Sequence, residues 1–338
     1  MNSILNGVKK EAVPPKKLQQ KKQRVVKIAC DLVGECIEKY PQVVGFELGG
    51  SYAKGTWVPE KPVDNVDIDI FVKFNKKTSE KDFRNIGTKI GFESLKKYKP
   101  YTRHAEHPFV EAIIDGTRVN VVPCYDVNKG EWKSATDRSI YHTKFMLQKL
   151  SNSMKGDVRI LKKFLQHIEV YGAEIAKEGF SGYVTEALIF YFGSFEKTIK
   201  KISELKKGQV IGKSTKKFDS FVVIIDPIDN NRNLGTAISI ENLGKFVLAS
   251  RAFLRNPSKN FFKKPISKRI MRNTDKIIVV QFKVKERSDD IVWGQIKRAS
   301  NALKTQLELG GFTVLRNSST KDEKENAALI FLLHAKKI

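Results

Sequence analysis

The chain has 338 residues, of which 62 are Lys or Arg and 37 are Asp or Glu, so its formal net charge is +25. An excess of that sign, spread over most of the chain, attracts phosphate polymers and favours nucleic acid as a partner. Hydrophobic residues make up 41%, which argues against global disorder, and no apolar run of about 18 residues or more exists to span a membrane.

The pattern of residues 1–145 predicts a first domain built from a small mixed sheet with flanking helices. Apolar residues at three- and four-residue spacing predict helices over 19–40 and 79–98. Strict alternation predicts a strand over 66–74. Two apolar runs on either side of Asp115-Gly116 predict a β-hairpin.

Two further domains follow. Residues 146–262 are mostly helical in pattern, with an apolar stripe over 158–168, a strongly apolar helix over 180–199 and another helix over 241–254. Residues 263–338 predict a strand, a helix and two more strands, the β-α-β-β order of a small α/β sandwich. The predicted fold class is therefore α+β.

The most informative stretch is a Gly49-Gly50-Ser51 turn followed by a strand that carries Asp67 and Asp69. Because the side-chain period of a strand is two, both carboxylates point to one face. Adjacent carboxylates repel each other unless a cation lies between them, and the turn offers backbone N–H groups to phosphate oxygens. The combination predicts metal-assisted nucleotidyl transfer; the D-x-D pair alone is equally ordinary on a solvated strand.

Five segments narrow this chemistry: G-G-S-Y-A-K-G-T-W, D-I-D-I-F-V, V-N-V-V-P-C-Y, E-G-F-S-G-Y and D-P-I-D-N-N-R-N. In this order they resemble the archaeal (class I) CCA-adding enzymes, which are tRNA nucleotidyltransferases of the polymerase-β-like superfamily. The similarity extends over nearly the whole chain. It implies a polymerase-β-like head, a helical central domain and a basic α/β body that binds RNA.

The resemblance also implies an activity and a site. CMP, CMP and AMP would be transferred from CTP and ATP to the 3′ end of tRNA without a nucleic-acid template, with Mg²⁺ in a two-metal site and release of pyrophosphate. Asp67 and Asp69 match the metal carboxylates of the family. The positions that match its nucleotide contacts are Ser51, Lys54, His142, Lys162, Tyr171 and Arg232.

Two of these positions need comment. Lys54 stands where the family usually has arginine, so it offers a point charge rather than a two-pronged fork. The segment from Asp226 to Arg232 is expected near the nucleotide base and the RNA 3′ end. Its alternative interpretation is an Asx-rich turn before a helix.

Asn120 departs from the family pattern, which has aspartate inside V-x-V-V-P. Its amide still offers an oxygen to a metal and completes the predicted set with Asp67 and Asp69, but it is neutral and cannot accept the 3′-hydroxyl proton. Three explanations stay open: another carboxylate such as Glu111 or Glu47 substitutes, the residue was exchanged to trap a complex, or catalysis has been lost. The alternative functions are a poly(A)-polymerase-like enzyme and a catalytically impaired tRNA-binding homologue.

The remaining expectations concern partners and location. The acceptor arm of tRNA would be bound through phosphate and 2′-hydroxyl contacts to the basic third domain; homodimerisation is left open. Three cysteines without a C-x-x-C pair and a start without an apolar signal region predict a cytoplasmic protein. The connection from Ser51 to Asp67 is slightly longer than the family usually has, and residues 60–63 are the expected extra loop. The family also continues past Ile338, so weaker and more salt-sensitive tRNA binding than in a longer form is expected.

Overall fold

A computed structural model describes residues 1–59, 66–103, 108–263, 276–285, 287–322 and 325–334. The chain divides into two compact units. The first comprises Met1–Ala173 and Gly179–Lys264, and the second Glu174–Glu178 and Pro265–Ile338. The 60–63 loop lies outside the described residues. Within the described part of the chain, every helix is too short or too polar to span a bilayer.

The first unit contains a five-stranded mixed sheet in the order β1-β2-β5-β4-β3, which confirms the predicted sheet. Only β2 and β5 pair in parallel. The predicted hairpin joins β4 to β5 through Asp115 and Gly116, whose φ angles of 47° and 69° are those of a tight hairpin turn. The strands are β1 (Val43–Gly49), β2 (Ile68–Asn75), β3 (Tyr101–Arg103), β4 (Phe109–Ile114) and β5 (Thr117–Asp126).

One face of this sheet packs against α2 (Lys16–Ile37) and α4 (Glu80–Ser94). Ile68 and Ile70 are fully buried there, so the polar residues that alternate with them lie on the opposite face. The fully buried Lys22 of α2 holds the start of the two parallel strands together. Its ammonium donates to the Val66 carbonyl and to the Thr117 hydroxyl, both at 3.0 Å.

Six other helices of the first unit contribute to a second core that is rich in phenylalanine. They are α1 (Asn2–Ala12), α5 (Asp137–Lys149), α6 (Asn152–His167), α7 (Gly182–Phe192), α8 (Phe195–Ser203) and α9 (Ile240–Arg255). The single helix predicted over 180–199 is wrong. Gly193 ends α7 in the left-handed region, at φ 85°, and the Ser194 hydroxyl caps α8 by accepting from the Lys197 N–H at 3.2 Å.

A small sheet in the order β6-β7-β8 was not predicted from the sequence. Its strands are β6 (Gln209–Ile211), β7 (Val222–Asp226) and β8 (Asp229–Asn233). The D-P-I-D segment is the tight connection between β7 and β8, in which Asp226 and Asp229 are register partners. The alternative of an Asx-rich turn before a helix is therefore wrong in detail, because the turn joins two antiparallel strands.

The second unit has the predicted β-α-β-β order: β9 (Lys276–Lys283), α10 (Asp289–Leu309), β10 (Val314–Lys321) and β11 (Asn326–Leu333). The strands form an antiparallel sheet in the order β10-β11-β9. Its core lies between α10 and alternate residues of β11, among them Val292, Ile296, Leu329 and Phe331. Asp289 and Asp290 in the first turn of α10 complement the helix dipole.

Candidate active site

A row of register partners crosses the five-stranded sheet on its polar face. It runs from Gly49 on β1 through Asp69 on β2, Asn120 on β5 and Glu111 on β4 to Tyr101 on β3. Directly opposite residues on neighbouring strands point to the same face and lie side by side. The row therefore places one carboxylate, Asp69 or Glu111, on each side of the Asn120 amide.

Asp69 and Asn120 form the centre of the row. The Asn120 Nδ2 group donates to Asp69 Oδ1 at 2.9 Å. The Asn120 side chain is 6% exposed, and its Oδ1 has no hydrogen-bond partner among the described residues. Burial raises the pKa of Asp69, although the Asn120 hydrogen bond and the Lys54 charge oppose that shift. A buried amide oxygen without a donor among the described residues, next to a half-buried carboxylate, matches the hard oxygen ligands that Mg²⁺ prefers.

Asp67 lies one residue before β2 and is less buried. Burial raises its pKa to about 6, the Asp69 and Glu111 charges add to the shift, and Arg118 opposes it. The Arg118 Nε atom lies 2.7 Å from Asp67 Oδ1. Among the described residues, no three His, Cys, Asp or Glu side chains are already grouped to hold a metal ion. The oxygens of Asp67, Asp69 and Asn120 still fit Mg²⁺, because that ion retains several waters and needs few protein ligands.

The Gly49-Gly50-Ser51 turn lies against the Asp69 carboxylate. Gly50 has a φ of 71°, and a Cβ built there would lie 1.9 Å from Asp69 Oδ2. Only glycine can therefore occupy the position without displacing the carboxylate. Ser51 follows within α3 (Gly50–Lys54). The structure thus brings the Gly-Gly-Ser turn and Asp69 together, as the sequence predicted.

Lys54 and Lys162 both contact the carboxylate of Glu186 on α7. This residue was not predicted from the sequence. Lys54 Nζ lies 2.6 Å from Glu186 Oε2, and the Thr56 hydroxyl donates to Oε1 at 2.5 Å. Lys162 Nζ donates to the Thr56 carbonyl at 3.1 Å and lies 3.9 Å from Glu186 Oε1. All these groups are buried. Burial acts to raise the pKa of Glu186, but the two lysine charges hold it below its usual value.

Tyr171 adjoins the same cluster at the first turn of α7. A Cβ on Gly182 would lie 3.1 Å from the Tyr171 hydroxyl and 3.6 Å from Lys162 Nζ. The preceding Ser181 caps the helix by accepting from the Val184 N–H at 3.1 Å. A lysine and a tyrosine beside the N-terminus of an eleven-residue helix form an environment suited to phosphate.

His142 and Arg232 converge on a second buried carboxylate, Asp226 at the end of β7. The distances from Asp226 Oδ2 are 2.8 Å to His142 Nε2 and 3.0 Å to Arg232 Nη1. The Tyr183 hydroxyl donates to Asp226 Oδ1 at 3.0 Å, and its ring stacks on His142 with centroids 3.7 Å apart. Burial lowers the pKa of His142, and Asp226 only partly opposes this. The Arg232 side chain is 43% exposed, so its remaining donors can reach a ligand.

The two clusters are continuous, because Lys54 Nζ lies 5.5 Å from the centroid of the Tyr183 ring. The order of the sequence motifs alone predicted the nucleotide contacts Lys54, His142, Lys162, Tyr171 and Arg232. Glu186 could have been found from a simpler signal: it is the one acidic residue inside the apolar helix α7. A carboxylate in such a place needs a buried cationic partner.

Three family models match the chain and define its class. Residues 29–142 match a nucleotidyltransferase domain. Residues 156–263 match the second domain of tRNA nucleotidyltransferases, and residues 273–338 match the C-terminal domain of CCA-adding enzymes. The fold is accordingly that of a nucleotidyltransferase.

Curated relatives narrow the class to one family. The CCA-adding enzyme of Pyrobaculum islandicum is 35% identical over 98% of this chain and 79% of its own. Those of Sulfurisphaera tokodaii (37%; 86% and 70%) and Methanocaldococcus jannaschii (33%; 96% and 75%) are similar. The chain belongs to the family of CCA-adding enzymes, which confirms the resemblance seen in its motifs.

Solved structures are similar in fold. A cytoplasmic RNA terminal U-transferase aligns with a TM-score of 0.56 and 14% identity over 78% of this chain and 98% of that one. The Cid1 poly(U) polymerase with Mg and 3′-dATP bound aligns with a TM-score of 0.58 and 13% identity, over 78% and 98%. At this identity the likeness concerns the fold alone.

Proposed function

We propose that the chain adds C, C and A to the 3′ end of tRNA without a nucleic-acid template. CMP, CMP and AMP are transferred from CTP and ATP, and pyrophosphate is released. The observation that carries the proposal is the contact between the Gly50 turn, Asp69 and the unpaired Asn120 oxygen, in a chain of this family. It joins a phosphate-binding backbone to hard oxygen ligands at one point.

Mg²⁺ is the proposed cofactor, with Asp67, Asp69 and the Asn120 oxygen as its protein ligands. When bound, it supplies positive charge to the phosphate oxygens of the reacting nucleotide. Arg118 has to release Asp67 for this arrangement, because its guanidinium now lies against that carboxylate. Both side chains are partly exposed, at 39% and 38%, so water can replace the contact as it opens.

The chain's own residues orient the substrates. Ser51 and Lys54 hold the triphosphate, and Lys162 and Tyr171 add contacts to it beside the N-terminus of α7. His142 and Arg232, which Asp226 fixes, face the nucleoside. Catalysis is then mostly in-line placement and charge neutralisation.

The transfer step forms one bond and breaks one. The 3′-hydroxyl oxygen of tRNA bonds to the α-phosphorus, the bond from that phosphorus to the bridging oxygen breaks, and pyrophosphate leaves with the electron pair. The Asn120 amide cannot take the hydroxyl proton. Another group of the site or a water has to receive it.

Radiolabelled CTP and ATP, offered to tRNA that lacks its CCA end, test the proposal. We expect successive incorporation of C, C and A, and its loss in Asp69→Asn. Poly(A) tails on generic RNA would favour a poly(A)-polymerase-like enzyme. A protein that binds tRNA but incorporates nothing, either as it is or with Asn120→Asp, would be the catalytically impaired homologue.

A further inference from the structure

We propose that Glu111 is the third carboxylate of the metal site and substitutes for the aspartate that the family pattern has at position 120. The inference rests on the proposed function, because it concerns the metal of that reaction. It assigns the negative charge that Asn120 lacks to Glu111 on the neighbouring strand β4.

Glu111 lies in the same row of register partners as Asp69 and Asn120. Glu111 on β4 is the direct register partner of Asn120 on β5, as Asn120 is of Asp69 on β2. Neighbouring strands lie about 4.8 Å apart, so Glu111 is the next side chain along the row on the same face.

The negative charge of the Glu111 carboxylate is incompletely compensated. Glu111 is 5% exposed, and a buried carboxylate needs a compensating cation. The Tyr101 hydroxyl donates to its Oε1 but is neutral. Among the described residues its ion pair is with Arg103, whose Nε lies 3.9 Å from Oε2 on a side chain that is half exposed. By contrast, the equally buried Glu186 has two lysines and a threonine.

The Asn120 oxygen leaves a gap in the row that the Glu111 carboxylate would fill. Asn120 lies between Asp69 and Glu111 in the strand order, and its Oδ1 has no hydrogen-bond partner among the described residues. The Glu111 carboxylate accepts a hydrogen bond from the hydroxyl of Tyr101 on β3. A glutamate has three rotatable side-chain bonds, so release of that single hydrogen bond allows the carboxylate to join the Asn120 oxygen at a shared cation.

Glu47, the other carboxylate considered from the sequence, is not equivalent. It is the register partner of Phe71, outside the row that contains Asp69. Lys73 Nζ lies 3.2 Å from its Oε1 and Lys144 Nζ lies 3.0 Å from its Oε2. Its charge is already compensated, which makes Glu47→Gln a matched control.

The experiment measures Mn²⁺ binding to the metal-free full chain by electron paramagnetic resonance, and CTP incorporation in parallel. We expect Glu111→Gln to weaken Mn²⁺ binding by about tenfold or more and to reduce incorporation, while Glu47→Gln leaves both unchanged. Adding Asn120→Asp to Glu111→Gln should restore both. Tyr101→Phe should keep or tighten Mn²⁺ binding, because it frees the carboxylate.

Three results would overturn the inference. These are unchanged Mn²⁺ affinity in Glu111→Gln, failure of Asn120→Asp to compensate in the double variant, and loss of Mn²⁺ binding in Tyr101→Phe. If the starting protein incorporates C, C and A while Glu111→Gln behaves like it, the inference fails and the proposed function stands. If the starting protein and Asn120→Asp both fail to incorporate nucleotide, the proposed function fails.

Discussion

The buried Glu186 carboxylate holds Lys54 and Lys162 together, and Glu186→Gln removes its charge at nearly constant volume. Both ammonium groups would then stay buried without a countercharge, since their side chains are 8% and 3% exposed. Removing one partner of a buried ion pair costs about 3–5 kcal/mol. We therefore expect the free energy of unfolding of the first unit to fall by about 3–5 kcal/mol.

An exposed pair of nearly the same length is the control. Glu80 and Arg84 lie 2.7 Å apart on α4, with side chains 69% and 45% exposed. Such i,i+4 pairs contribute about 0.3–0.5 kcal/mol, so Glu80→Gln should have almost no effect. The contrast isolates burial, because the separation of the charged atoms is matched.

The assay is guanidinium unfolding followed by tryptophan fluorescence in a Trp293→Phe background. Trp57 and Trp132 then report on the first unit, since Trp293 belongs to the second. In the same variant, binding of CTP and ATP should weaken, because the two lysines lose their fixed positions. A loss no larger than that of Glu80→Gln would refute the reasoning, since it would mean that Glu186 does not compensate two buried positive charges.

Three smaller perturbations test other parts of the site. Gly50→Ala should abolish Mn²⁺ binding and CTP incorporation, because its Cβ would lie 1.9 Å from Asp69 Oδ2. Lys22→Met should lower the free energy of unfolding by about 1–3 kcal/mol, because it leaves buried acceptors unpaired; the exposed Lys27→Met should change it little in the same titration. His142 has a lowered pKa, so the native state binds fewer protons than the unfolded state, and stability should fall as the pH drops through the usual range of histidine. His142→Gln should reduce this pH dependence. Urea unfolding at several pH values measures it, and the same change of the free energy of unfolding with pH in both proteins would contradict the prediction.

Local patterns were sufficient for the head sheet and for part of the site. The alternation around Asp69 predicted both the strand and the face of the carboxylates, because one face of β2 is buried. The hairpin at Asp115-Gly116 followed from turn chemistry alone. In contrast, Val222–Asp226 does not alternate, because every residue of β7 is buried. Periodicity cannot separate such a short apolar run from a buried helix segment, and this strand was not predicted.

Long-range pairings could not be predicted in the same way. Glu186 lies 132 residues from Lys54 in the chain, and no local rule connects them. The break at Gly193 was missed because an apolar pattern continues across it, although a glycine followed by serine is an ordinary end and start of helices. The ordered motifs identified the residues of the nucleotide site. They did not identify Glu186, the carboxylate that holds Lys54 and Lys162 in place.

The departure at Asn120 is best understood together with its neighbours on the same face. Beside Asp69 the chain has a neutral amide, beside Asp67 it has the Arg118 guanidinium, and beside Asn120 it has the under-compensated Glu111. If Glu111 supplies the third negative charge, Asn120→Asp alone adds a fourth carboxylate to the site. That charge would lie next to Asp69 and oppose its ionisation. We therefore expect Asn120→Asp to leave CTP incorporation by an active chain unchanged or lower, and to raise it only when Glu111 is glutamine. A large gain from Asn120→Asp alone, measured in the same incorporation assay, would show that position 120 acts independently of Glu111.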